Sequence, residues 1–214
     1  MQDFERIRSL IMSYGKDEPG DLGEIYRDAV AREIPVIRPD MKELLRLLLL
    51  MKKPKRILEI GTAVGFSALF MASCLPEAKI TTLELDEARA DEAEENIRRL
   101  GAKDRVQVHR GDAAKLLTEL QGLYDFVLID AAKAQYGEYF SLALPLVSEE
   151  ALIVSDNVLQ DGSILESHFL VEKRDRTIHD RMREYLERLT NTPSLMTDIL
   201  PVGDGVAVTI VNKK

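Results

Sequence analysis

The chain holds 214 residues, 45% of them hydrophobic. At that length one core buries roughly 70% of the unfolded surface, so a single domain is expected. Its 29 basic and 37 acidic residues leave a formal charge of −8, a field that repels bulk polyanions, so a nucleic-acid partner would need a local basic patch. One cysteine rules out an internal disulfide framework, and a start carrying Asp3 and Glu5 lacks the basic and apolar regions of a signal peptide, so a cytoplasmic location is expected.

Three helical segments open the chain, about Phe4 to Tyr14, Leu22 to Arg32 and Asp40 to Met51. They read as a cap over a site or a subunit interface, giving a domain map of 1–52 for this segment and 53–214 for the core. Their apolar faces favour a symmetric homodimer. The longest apolar run, Leu44 to Met51, contains Arg46 and is too short to cross a bilayer, so no membrane partner is expected. Lys52, Lys53, Lys55 and Arg56 form a basic cluster expected at the N-terminal end of the first strand. Cys74, in an apolar helical stretch without a nearby histidine, reads as a core or helix-surface cysteine.

From Arg56 onward short apolar runs alternate with amphipathic stretches, the pattern of a parallel sheet covered on both faces. Five strands are expected: Arg56 to Ile60, Lys79 to Glu84, Val106 to His109, Phe126 to Asp130 and Leu152 to Ser155. The clearest helix is Glu87 to Leu100, capped by Asp86, ended by Gly101 and carrying Arg98 and Arg99 at its C-terminal dipole. After Asn157 a polar loop leads to a charged helix, about Glu172 to Thr190, and then to two β-rich pieces, Leu195 to Leu200 and Val206 to Val211. Gly203, Asp204 and Gly205 have the composition of a hairpin turn. Five parallel strands closed by an antiparallel pair make a seven-stranded, Rossmann-like α/β fold, distinct from the six parallel strands of a dehydrogenase.

The stretch Ile57 to Phe70, ILEIGTAVGFSALF, runs from strand through a glycine turn into a helix. Its G-x-x-x-G spacing fails the dinucleotide fingerprint. Gly61 and Gly65 suit either close backbone approach to a ligand or merely a tight turn. Glu84 ends the second strand 23 residues after Gly61, near the offset at which an acid accepts both hydroxyls of an adenosine ribose, or else caps the next helix. Asp112 can accept from an adenine amino group, with Ala113 donating its amide to the ring, or can cap the helix Ala113 to Leu120.

Asp130 ends the fourth strand, and Asp156 with Asn157 ends the fifth. Neighbouring strands lie ~4.8 Å apart, so two carboxylates and an amide oxygen should converge where a hard cation such as Mg²⁺ relieves their repulsion; strand-end capping is the plainer alternative. The three histidines, His109, His168 and His179, show no zinc-ligand spacing. Lys133, three residues after Asp130, should share the face of a helix opening there. It then either accepts a proton from an acceptor hydroxyl or forms a structural salt bridge.

These motifs, LEIGTAVGFS, TTLELD, HRGDA, the D-x-x-K of IDAAKAQY, SDNVL and PVGDGVA, resemble the metal-dependent class I O-methyltransferases that include catechol and caffeoyl-coenzyme A O-methyltransferases. The resemblance covers nearly the whole chain. It implies S-adenosylmethionine as cofactor, held by Ile37, Glu59, Gly61, Ser67, Glu84, Asp112, Ala113 and Asp130. It implies a divalent cation, Mg²⁺ or similar, on Asp130, Asp156 and Asn157, and Lys133 as base. More narrowly, IPVIRPDM, IDAAKAQY, DNVL and PVGDG look like the bacterial branch that methylates 5-hydroxyuridine at the tRNA wobble position, which implies the tRNA anticodon loop as partner. Ala132 agrees, because the catechol enzymes carry a bulky aromatic there, and a 5-hydroxyl beside a 4-carbonyl resembles a catechol to a metal. Small-molecule methylation of catechols or other vicinal hydroxyls is the alternative; a non-catalytic nucleotide-binding scaffold would not need the carboxylate cluster.

The late helix carries Lys173, Arg174, Arg176, Arg181, Arg183 and Arg188, nearly cancelled by Glu172, Asp175, Asp180, Glu184 and Glu187, and so reads either as a solvated face or as an anticodon-facing one. Tyr136 and Tyr139 are candidate base-stacking residues, and Phe140 reads as core.

Overall fold

The computed structural model describes residues 2–168 and 171–212. Three helices, α1 (Gln2–Ser13), α2 (Gly20–Ala31) and α3 (Pro39–Lys52), precede the sheet. The alternating core follows: β1 (Arg56–Ile60), α4 (Phe66–Cys74), β2 (Lys79–Glu84), α5 (Glu87–Arg99), β3 (Val106–Arg110), α6 (Ala113–Glu119), β4 (Tyr124–Ile129), α7 (Tyr136–Ala143) and β5 (Val147–Ser155). Helix α8 (Arg176–Asn191) and the antiparallel pair β6 (Leu195–Leu200) and β7 (Val206–Val211) complete it.

The strands form one sheet in the order β3-β2-β1-β4-β5-β7-β6, with β1 to β5 parallel and β7 antiparallel to both neighbours. This is the expected seven-stranded, Rossmann-like α/β fold. Alternation along the strands divides the core in two. Ile57, Phe126, Leu128 and Val154 pack with α2, α3 and α4, whereas Leu58, Ile60, Val127 and Ile129 pack with α7 and α8. Strand residues buried on both faces explain why the sequence shows continuous apolar runs rather than polar alternation.

Several boundaries move. β4 starts at Tyr124 and ends at Ile129, so Asp130 lies one residue past the strand. β5 starts five residues early, at Val147, which pairs with Tyr124; a register shift then carries the pairing to Leu152 opposite Phe126, so the polar opening residues lie between the two paired positions. α8 opens at Arg176 rather than near Glu172. Asp86 caps α5 as expected, its side chain accepting from Arg89 N at 2.9 Å.

The connections reverse direction between β1 and β4, and it is outside the carboxyl ends of strands at such a switch point that open α/β sheets bind ligands. The basic Lys52 to Arg56 cluster lies at the opposite end, where the Lys55 and Arg56 amides donate to Asp125. No described helix is long and apolar enough to cross a membrane.

Candidate active site

The turn after β1 is built around backbone that only glycine tolerates. Gly61 has φ +104°, and a Cβ there would stand 2.0 Å from the Asp130 carbonyl oxygen. Gly65 has φ +82°, and its Cβ would press on Ala93 of α5 at 3.2 Å. Both glycines therefore make room for neighbouring chain. Gly61 still lines a cleft of about 250 Å³, whereas Gly65 does not.

Ile37, Ser67, Glu84, Asp112, Ala113 and Asp130 line that same cleft, so six of the other expected cofactor positions converge on one volume. Glu84 holds the loop's shape: one carboxylate oxygen accepts from the Thr62 and Ala63 amides at 3.2 and 2.8 Å, the other from Asp86 N at 2.9 Å. Asp112 caps α6, accepting from Ala114 N at 2.8 Å, while its side chain stays exposed at the cleft. Both roles read from the sequence are thus compatible with one position.

Glu59 is the exception. It points with Ile57 to the α4 side of the sheet, has no exposed surface and does not reach the cleft. Thr82 Oγ1 donates to one of its oxygens and in turn lies 2.6 Å from Thr62 Oγ1, so the residue buttresses the loop from behind. Its other oxygen has no hydrogen-bond partner among the described residues. Burial raises its carboxyl to about 8, with Ser67 and Thr82 pulling the other way.

The acidic corner opens directly from the cleft through Asp130. The sheet's ladder runs one residue past each strand, Asp130 N donating to Ile60 O and Asp156 N to Ile129 O, both at 3.0 Å. That register sets Asp130 beside Asp156. Asn157 takes the left-handed conformation (φ +57°), which asparagine tolerates, and its amide reaches Asp130 Oδ1 at 3.3 Å. Burial raises both carboxyls, Asp156 to about 7 with Asp130 adding to the rise. Among the described residues no three His, Cys, Asp or Glu side chains gather as a metal site, so this corner is two carboxylates and an amide. Oxygen donors of that kind, strained against each other, fit a hard cation better than zinc.

Lys133 does not sit on a helix with Asp130. Residues 131–132 stay non-helical and Lys133 opens a short 3-10 turn before α7, so helical spacing is not what orients it. Its Nζ lies 3.2 Å from Asp204 Oδ2 in the β6–β7 turn, and its charge opposes the rise at Asp130. The salt bridge is therefore made chiefly to a residue outside the expected cluster. Tyr136 is also corrected: it is buried, edge-on to Tyr185, with its hydroxyl donating to the Asp156 carbonyl at 2.9 Å, and cannot stack a base. Tyr139 lines the cleft beside Gln135, and Phe140 is fully buried as expected.

The O-methyltransferase family profile matches residues 17–214. The chain belongs to the O-methyltransferase family. A catechol O-methyltransferase of Niastella koreensis is 39% identical over 137 residues, 62% of this chain and 62% of that one. A methyltransferase of Podospora anserina, solved bound to SAH, superposes with a TM-score of 0.87 at 25% identity, covering 99% of this chain and 96% of that one. An O-methyltransferase of Bacillus cereus in complex with SAH gives 0.81 at 28% identity over 91% and 92%. The matched stretches span 62%, 61% and 50% of the length of three curated relatives.

Within this family framework, the sequence reading missed Asp204, Arg38, Thr62 and Gln135. Arg38 offsets part of the rise at Asp156, and Thr62 and Gln135 line the cleft. Asp204 was hidden inside a turn signal, where Asp is ordinary; no local pattern distinguishes an inward carboxylate there.

Proposed function

We propose that the chain transfers a methyl group from S-adenosylmethionine to an acceptor hydroxyl, assisted by a divalent cation of the Mg²⁺ type. One observation carries this reading: Asp130 belongs both to the cleft that suits the cofactor and to the acidic corner that suits the cation. In this reading Glu84 would accept from ribose hydroxyls, Asp112 from the adenine amino group, and Ile37 would cover the ring. S-adenosylmethionine supplies an electrophilic sulfonium methyl. A cation held by Asp130, Asp156 and Asn157 would supply charge that acidifies a hydroxyl nearby. Lys133 is the residue proposed to receive the acceptor proton. The apolar cleft wall keeps water away from the methyl donor, so alignment of donor and acceptor supplies the acceleration.

For the acceptor, the favoured reading is 5-hydroxyuridine at the tRNA wobble position, converted to 5-methoxyuridine. It is supported by the motifs that resemble that branch and by Ala132, exposed at the mouth, where an aromatic would narrow the entrance. The second reading, methylation of catechols or similar vicinal hydroxyls, is favoured by the relatives whose names carry that activity. Labelled S-adenosylmethionine and Mg²⁺ are offered with hydroxyuridine-containing tRNA or with a catechol. Label in the tRNA supports the first reading, and label only in the catechol establishes the second in its place.

A further inference from the structure

The β6–β7 turn carries a carboxylate that faces inward. Turn residues usually solvate their charges, yet the Asp204 side chain is only 4% exposed, and a buried carboxylate is tolerated when a cation pairs with it. One partner is Lys133 Nζ at 3.2 Å. Lysine is a flexible four-carbon arm with a mobile head, and the Lys133 side chain, 34% exposed, lies in a short turn rather than a helix.

The position of Asp204 is set by backbone bonds that do not involve its carboxylate. Gly203 N donates to Asp40 Oδ2 at 3.0 Å, which ties the turn to the start of α3. Leu159 N and Val158 N donate to the Asp204 and Gly205 carbonyls at 2.8 and 3.0 Å, which ties it to the segment just after Asn157. The turn is thus clamped from two sides, one of them continuous with the acidic corner. Asp204 also adds to the negative field at Asp156, so it stands close to that corner without being one of its three expected oxygen donors.

We propose that Asp204 is the positioning residue of Lys133, holding its amine at the mouth of the acidic corner where the acceptor hydroxyl must arrive. The proposal rests on the methyl-transfer reading for its catalytic consequence, but not for its geometry. Asp40 acts one step further out, by fixing the turn that presents Asp204.

Asp204→Asn keeps the turn's backbone bonds and removes the charge. The expected result is a fall in kcat of about 10-fold or more, with the KM for S-adenosylmethionine and the affinity for SAH within about twofold of the parent. In a Lys133→Ala background the same substitution should cost less than about twofold, because a residue acting through Lys133 has nothing left to position. A role in general stability would instead multiply the two losses, and that result overturns the proposal. A readout independent of turnover is reductive methylation of lysines by formaldehyde and cyanoborohydride, followed peptide by peptide in the mass spectrometer. Lys133 should react faster in Asp204→Asn than in the parent, with other lysines unchanged; an unchanged Lys133 rate overturns the proposal. Should Asp204→Asn not fold, Asp40→Ala serves in the labelling test, with the same expected direction and the same refuting result. If the parent methylates no acceptor offered, the functional reading fails, and the labelling result still decides the role of Asp204.

Discussion

Glu59 sits on β1 with no exposed surface, one oxygen accepting from Thr82 and the other without a partner, and burial lifts its carboxyl from 4.5 to about 8. An acid bound more tightly to its proton when folded contributes stability that is complete below about 4.5, drains away as pH rises, and is gone above about 8. At ~1.4 kcal/mol per pH unit the span corresponds to roughly 5 kcal/mol, a large share of the ~5–15 kcal/mol that keeps a domain folded. Gln cannot ionise, but its oxygen can still accept from Thr82 while its amide faces the unpartnered side. Glu59→Gln should therefore match the parent within about 1 kcal/mol near pH 5 and exceed it increasingly up to pH 8.5. For a chain of this length the difference amounts to about 10–20 °C in Tm at the alkaline end. The assay is urea unfolding of both proteins, free of cofactor and chelated, across that pH range. Taking the difference between them cancels other titrating groups, Asp156 among them. A parent-to-variant difference that stays constant with pH refutes the claim that Glu59 is held protonated by burial.

Three further outcomes follow from the same geometry. Asp156→Ala should abolish methyl transfer while calorimetry shows SAH affinity within about threefold of the parent, whereas Glu84→Ala, which frees the Thr62 and Ala63 amides and would lose the proposed ribose contacts, should weaken SAH binding by about 100-fold; equal affinity losses would defeat that division. Gly61→Ala should destabilise by more than about 3 kcal/mol in chemical denaturation, because its Cβ meets the Asp130 carbonyl at 2.0 Å, while Gly101→Ala, also at positive φ but with open space, should cost about 1 kcal/mol. Chelation should remove turnover, and Mg²⁺ should restore it without changing SAH affinity; persistence of full activity in chelator counts against the cation.

How far the sequence revealed this arrangement depends on the range of the signal. Strand tips were legible because doubly covered strands are apolar to the last residue and then break abruptly, which marks Gly61, Glu84, Asp130 and Asp156 without any knowledge of pairing. The start of β5 was not legible, since Val147 pairs with Tyr124 while a register shift leaves the polar Ser148, Glu149 and Glu150 between it and the next pair, Phe126 with Leu152, and so breaks the apolar run. Glu59 was placed in the cleft by family resemblance, but the period-two alternation of a strand sets it on the opposite face from Ile60, which does line the cleft. Lys133 was reached by assuming a helix. Its actual anchor lies 71 positions away, and separations of that size leave no periodic trace.

The chemistry collects where the sheet's ladder overruns its strands. Asp130 and Asp156 are each bonded through their backbone amide to the neighbouring strand's last carbonyl, so their spacing is inherited from the sheet and costs the site no separate scaffold. Gly61 is the condition for this, because any side chain there would push the Asp130 carbonyl away from β1. Asn157 is a second condition: a left-handed residue immediately after Asp156 folds the chain back so that its amide meets Asp130, and branched residues at that φ would be strained. The hairpin then brings Asp204 against the far side of the same corner. A parallel ladder, one glycine and one left-handed asparagine are thus sufficient to fix three oxygen-bearing side chains, while Lys133, outside that ladder, meets its contact in another part of the fold, the β6–β7 turn.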